Sequence, residues 1–505
     1  MSGIVRITPA CPPRLLLIVV LVVSSVVRMI LVLHGGQFFW LDESFRFHPC
    51  LRIIDALRYP NHTWTEIADT IARQHLHTGF LLVGIPATII ALELMAFLPL
   101  QDEQLATALV LSLMSVACIA LVYALARRLD ANRWEALLAA FLMASANSMF
   151  YYSRHVLPYD SSLALVLFTL WWGLGERRSI WRSVGFGVLA GTAYLIYFGY
   201  LTSVFAVTAI YLVRDVRWRT VLAHGAAVAL GFIVPPVSMH IFTLVHGAGM
   251  VPFLNDIFAL MQLANQGGYE EGWRVPWDYL WLCEHGLLVV WAVGVVGTLV
   301  LSRRGWEASR TRGILWVAAA AMIYAQLAIN STILHKAVVL GRFARQLVPF
   351  LCLATAAAGS DLSLRHRRVA QPAWWMVAVT LISIQTAANF AAPLTQHFSP
   401  EVEQEVAGRF SDGAITRDIS IVGPELREPV DRSARYVLMN TATFLYPAKA
   451  VASPTEGRVL LRYPHPLQFL PYQYEVYDAP GRSVLQAADI SMRLIDTWDM
   501  AVTPR

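Results

Sequence analysis

Two acidic residues stand side by side in an aromatic stretch, Phe38-Phe39-Trp40-Leu41-Asp42-Glu43-Ser44-Phe45. A carboxylate in that setting can take a proton from a hydroxyl as the hydroxyl attacks. Further on, Ser153-Arg154-His155-Val156-Leu157-Pro158-Tyr159-Asp160 holds opposite charges close together, and residues 331–345 carry His335, Lys336, Arg342 and Arg345 with no acid among them. Cations stabilise a departing phosphate, and the planar fork of Arg meets phosphate oxygens at two points. Together the three stretches supply the parts for moving a group from an anionic lipid to a neutral acceptor. Neighbours in a regular helix diverge by about 100 degrees, so Asp42 and Glu43 would not share a role. Asp42 is expected to be the base, with Glu43 orienting it or holding a cation.

Each residue also has a plainer use. An acid at a membrane surface can simply be solvated. Glu43 and Asp160 can cap the helices that follow them, and Lys336, Arg342 and Arg345 can reach lipid headgroups with their charged ends. Which use holds depends on the elements that place them.

Of the 505 residues 57% are hydrophobic and only 14% charged, with a mean hydropathy of +0.53. That is too apolar for a soluble protein and indicates a polytopic membrane protein. The formal charge of +5 comes from basic residues in short loops between apolar runs, where bilayer orientation accounts for them without nucleic acid. Five scattered cysteines without C-x-x-C spacing indicate neither a cysteine metal site nor a disulfide framework.

Taken in order, the apolar run at residues 15–33 is long enough to cross a bilayer, and Arg6 and Arg14 before it place the N-terminus in the cytoplasm. Residues 34–103 follow as an external loop. In it Phe47, Leu51, Ile54 and Leu57 share one helical face, Thr63 and Glu66 have capping-box spacing, and both segments are expected to lie in the interface. Residues 79–99 are apolar enough to cross. A crossing, however, would put Arg127, Arg128 and Arg133 outside and reverse every later loop, so the segment is expected to dip in or lie along the interface.

About eleven spans result, near residues 15–33, 104–126, 134–151, 160–176, 183–198, 199–213, 220–246, 286–302, 313–330, 346–360 and 373–392. Residues 393–505 are more polar, with strand-like runs at Ile419 to Val422, Tyr436 to Met439 and Val459 to Leu461. The expected fold is an all-α polytopic membrane protein, residues 1–392 forming the transmembrane catalytic domain. A small external α+β domain over 393–505 completes it. Arg28 and Glu93 break the rule against charge in apolar segments and have no assignable role.

The stretch Trp40-Leu41-Asp42-Glu43 resembles the W-x-D-E signature in the first external loop of the GT-C glycosyltransferases, a group using polyprenyl-phosphate sugars that includes protein O-mannosyltransferases and lipid A aminoarabinose transferases. His77-Thr78-Gly79-Phe80-Leu81 stands where that group commonly has H-P-P-L. Ser153-Arg154 through Asp160 is similar to its S-R…D stretch, and Gly341-Arg342-Phe343 with Pro349 resembles its late R-Y…P motif. The resemblance implies that Asp42 is the catalytic base and the reaction inverting. It further implies a polyprenyl phosphate sugar as donor, bound from the outer side. It adds Trp40 and His77 to a site in which Arg342, Arg345, Lys336 and Arg154 would meet the donor's phosphate.

The expected partners are the bilayer, that donor and a lipid, glycan or protein acceptor. The expected location is a bacterial inner membrane. A divalent metal, if the reaction uses one, would fall to Glu43 and Asp160; no other cofactor is indicated. The rival class is a secondary transporter or flippase for an anionic lipid-linked substrate. A transporter would place its ionisable residues near the bilayer midplane on broken helices. Here they gather at the outer ends of the expected spans, which favours an enzyme.

Overall fold

The computed structural model describes residues 13–33, 41–58, 63, 65–68, 79–97, 100, 102–153, 155–175, 179–213, 217–246, 272–284, 286–302, 308–336, 339, 341–365, 415–418, 436–440, 458–464 and 491–496. Up to Arg365 the described elements are helical. They are α1 (Pro13–Leu33), α2 (Leu41–Arg58), α3 (Ile85–Met95), α4 (Glu103–Arg128), α5 (Arg133–Ser145), α6 (Asn147–Tyr152), α7 (Tyr159–Gly173) and α8 (Ile180–Ile196). These are followed by α9 (Leu201–Leu212), α10 (Trp218–Val245), α11 (Val275–Glu284), α12 (Gly286–Ser302), α13 (Ala308–Ala328), α14 (Gly341–Ala344) and α15 (Val348–Arg365).

Short polar side chains start several of these helices. Asp102 accepts from the backbone N–H groups of Gln104 and Leu105 at 2.8 and 3.0 Å, and Asn132 accepts from those of Trp134 and Glu135. Each cap satisfies donors that a helix start otherwise leaves unpaired. The expected capping box forms as well: Thr63 N–H donates to Glu66 Oε2 at 2.8 Å, and Glu66 N–H to Thr63 Oγ1 at 3.3 Å.

Helices occupy ten of the expected spans; the last, residues 373–392, lies outside the described residues. Four segments among the described residues are long and apolar enough to cross a membrane: Pro13–Leu33, Glu103–Arg128, Trp218–Val245 and Thr311–Ile333. The expected span at 134–151 is broken at Ala146, between α5 and α6. The expected boundary between the fifth and sixth spans falls at Tyr197, whose extended backbone separates α8 from a 3-10 turn, Phe198–Tyr200.

Residues 79–99 hold a π turn, Phe80–Gly84, followed by α3, with Pro86 in its first turn where no N–H is needed. Helix α3 packs on α4 and α2. The buried face of α2 is Phe47, Cys50, Ile53 and Ile54 rather than the face expected, because Leu57 points outward and is 40% exposed.

Helices α8 and α10 come into backbone contact. A Cβ on Gly187 would collide with the Val228 carbonyl, and one on Gly231 with the Val184 carbonyl. Glycine at these points lets two backbones touch, the way helices associate where water supplies no driving force.

Beyond Arg365 the described residues are the strands β1 (Ile415–Asp418), β2 (Tyr436–Asn440), β3 (Arg458–Pro464) and β4 (Ser491–Asp496), in the order β1-β2-β4-β3. β1 and β2 are parallel; β4 pairs antiparallel with β2 and β3. Two expected strand-like runs lie in β2 and β3, whereas Ile419 to Val422 falls outside the described residues.

Candidate active site

The two ends of the helical bundle differ in chemistry. At one end, the one expected to face the cytoplasm, the Arg128 and Arg182 guanidinium groups lie over the rings of Trp171 and Trp172, at 5.4 and 5.1 Å. There too Arg312 pairs with Glu135 at 2.9 Å, and Asn132 Nδ2 donates to Ser360 Oγ. These are anchoring contacts at helix ends.

The opposite end holds buried charge. Asp160, in the first turn of α7, and Arg345, in the 3-10 turn Arg345–Leu347 joining α14 to α15, are both buried and form an ion pair, Arg345 Nη2 donating to Asp160 Oδ1. Arg345 also meets Met149 Sδ at 3.5 Å. One turn back, Arg342 Nε donates to Tyr197 Oη at 3.0 Å, and its guanidinium lies 5.6 Å from the centre of the Tyr159 ring. Tyr159 and Tyr197 are themselves in contact, their centroids 4.5 Å apart. Three residues singled out in the sequence, Asp160, Arg342 and Arg345, are thus brought together.

Gln346 fixes this corner. Its Oε1 accepts from Thr202 Oγ1 at 2.8 Å, Ser203 Oγ at 2.7 Å and Ser203 N–H at 3.1 Å. Its Nε2 donates to the carbonyls of Gly199 and Phe343 at 3.0 and 3.2 Å. A wholly buried amide that uses both its ends holds the Tyr197–Ser203 segment against the segment carrying both arginines.

The acidic half is placed through its backbone. Asp42 and Glu43 are the second and third residues of α2. Acids in a first turn also suit the helix dipole, so the plainer use remains compatible with this position. Helix α2 lies beside the second loop, because Phe47 and Cys50 share an apolar cluster with Val156. Lys336 is exposed, at the end of a π turn over Ile329–Ile333, and is not brought to the Asp160 pair. Trp40, His77 and Arg154 lie outside the described residues.

Two residues at this end carry more than the sequence suggested. Arg28 of α1 is completely buried, donating to Ser115 Oγ at 3.0 Å and to the Ser24 carbonyl at 3.2 Å over the Phe150 ring. Its signal was plain, since it is the lone charge in an apolar run. Glu284, at the end of α11, is also fully buried and accepts from the N–H groups of Asn147 and Ser148 at 2.8 and 2.9 Å, which explains the break before α6. Burial pushes its carboxyl up to about 7, although the hydrogen bonds from Ser148 and Asn147 oppose the shift. No local pattern marks Glu284, whose partners lie 136 and 137 residues away.

Among the described residues no group of three His, Cys, Asp or Glu stands together as a metal would require. Asp160, one of the two candidate ligands, faces a guanidinium, which would repel a cation there. The geometry instead suits an anion, with arginines and tyrosine hydroxyls gathered at one end of the bundle.

A family model described as dolichyl-phosphate-mannose-protein mannosyltransferase matches residues 86–240, which run from α3 to α10 and include Asp160 and Tyr197. That segment, about a third of the chain, agrees with the resemblance to protein O-mannosyltransferases. Among solved structures, ArnT from Cupriavidus metallidurans in the apo state shares 16% identity over 75% of this chain and 64% of its own, with a TM-score of 0.42. The same protein bound to undecaprenyl phosphate shares 17% over 76% of this chain and 65% of its own, with a TM-score of 0.45. The chain therefore spans just under two thirds of the length of both structures. No curated protein sequence matches it.

Proposed function

We propose that this chain is an integral-membrane glycosyltransferase of GT-C type that moves a sugar from a polyprenyl-phosphate-linked donor to an acceptor hydroxyl on the outer side of the membrane. The observation that carries this reading is the meeting of Asp160, Arg342 and Arg345 at the bundle end expected outside, within or beside the segment matched by the mannosyltransferase family.

In this reading Asp42 takes the proton from the acceptor hydroxyl as its oxygen attacks the anomeric carbon of the sugar. The bond from that carbon to the phosphate oxygen breaks, and the electron pair leaves with the polyprenyl phosphate. The positive field of Arg342 and Arg345 stabilises the departing charge. Asp160 holds Arg345 in place, and Gln346 and Tyr197 hold the segment and the side chain of Arg342.

The test is a transfer assay on the purified protein with a panel of polyprenyl-phosphate sugars, using Asp42→Asn as control. Transfer by the wild type that the control loses supports the reading. Vesicle-to-vesicle movement of the donor without bond cleavage would point to the transporter class instead.

A further inference from the structure

Arg28 reaches the buried charges by a short chain of contacts. Its Nε donates to Ser115 Oγ, which in turn donates to the Met149 carbonyl at 3.4 Å, and Met149 Sδ touches Arg345. Arg28 lies within electrostatic reach of both Asp160 and Arg345. Among the described residues at this end, Arg28, Arg342 and Arg345 face the carboxylates of Asp160 and Glu284, and Glu284 spends both oxygens on backbone N–H groups. Among the described residues these three cations outnumber the two carboxylates, and Arg28 and Arg345 are wholly buried.

Hydrogen-bond capacity gives a second, independent sign. Arg28 uses Nε and Nη1, yet its Nη2 is buried without a partner. The hydroxyls of Tyr200 and Ser161 are likewise buried without partners, on two elements that adjoin the same charges. All three groups can donate. Buried donors around excess positive charge are satisfied together by an anion with several acceptor oxygens.

We propose that Arg28, with Arg345 and the Tyr200 and Ser161 hydroxyls, forms a binding site for a phosphate group. This deepens the transfer reading by assigning the donor's phosphate to a cation on the first helix. The chemistry is common to a lipid phosphate and to free phosphate, and the test separates the two.

The thermal midpoint of the full-length protein in detergent is titrated with farnesyl phosphate, inorganic phosphate and farnesol. Wild type is expected to gain stability with farnesyl phosphate and not with farnesol. Arg28→Met is expected to weaken the farnesyl phosphate response roughly ten- to hundredfold, the range for a lost hydrogen bond from a charged group. Arg28→Lys, which keeps charge but not the fork, and Tyr200→Phe should each lose part of the response. These two milder variants carry the test if Arg28→Met does not fold.

A response to inorganic phosphate that needs Arg28 supports the site with free phosphate as its ligand. Equal protection by farnesol, or an unchanged preference for phosphate in the variants, overturns the proposal, because a merely structural Arg28 would lower the midpoint without altering that preference. The readout is binding alone. Absent sugar transfer with an Arg28-dependent phosphate response refutes the transferase reading and leaves this site standing; transfer without that dependence does the reverse.

Discussion

Arg345 Nη2 donates to Asp160 Oδ1 across 185 residues of sequence, joining the start of α7 to the start of α15 inside the bundle. Removing one partner of such a buried pair leaves the other charge unpaired, at a cost of about 3–5 kcal/mol, whereas removing both can be nearly neutral. Asp160→Asn should therefore lower the unfolding midpoint sharply, and adding Arg345→Met should recover most of the loss without recovering transfer. A double variant as unstable as the single one would show that the pair is not the unit that matters.

Asp42→Asn should reduce transfer by about 100- to 10,000-fold, the usual contribution of a general base, with little change in the unfolding midpoint. Glu43→Gln, one residue further round α2, should cost less. Initial rates at saturating donor compare the two directly; equal losses would mean that the acids act as one unit.

Gln346→Leu removes an amide with five hydrogen-bond partners and orphans several of them. A loss of about 3 kcal/mol is expected from buried donors and acceptors left unpaired. Denaturant unfolding in detergent measures it, and a change under about 0.5 kcal/mol would place Gln346 among ordinary surface positions.

Glu284 gives stability a pH dependence whose sign is set by its raised value. The folded state holds its carboxyl near 7, against 4.5 for the free group. Its contribution to stability is therefore fully present below about 4.5 and is lost as the pH rises through about 7. Between pH 5 and 8 the wild-type midpoint should fall more steeply than that of Glu284→Gln. Parallel profiles would assign the pH dependence to other groups.

The path of residues 79–99 is open to chemical labelling. If that segment does not cross, a cysteine replacing Arg128 should resist a membrane-impermeant reagent applied from outside, while one replacing Arg154 should react. Reaction at the first position would reverse the orientation of every later helix.

Most helix positions were legible because spans are written in composition: ten expected runs became helices, and Thr63 with Glu66 announced its own cap. Asp160, Arg342 and Arg345 were legible as charges at the ends of apolar runs, where they need a reason to exist. What the sequence left unread was long-range pairing. Nothing near Arg345 says that Asp160 faces it, nothing near Glu284 says that it interrupts a helix, and Gln346 reads as one polar residue before an apolar run. The face of α2 was misjudged for a related reason: helical spacing lists which residues share a side, but the neighbours α3 and α4 decide which side is covered.

Arg28 also bears on how the chain is made. Helix α1 leaves the ribosome before α4 to α6, and its arginine sits near the end of an otherwise apolar span, where a lone charge is costly to bury. Its hydrogen-bond partner Ser115 follows 87 residues later, and Phe150 later still. The first helix must therefore hold its place in the bilayer on apolar length alone until α4 to α6 arrive. Release of an unfinished chain before that point would strand a charge in the membrane, a mark by which quality control can recognise it.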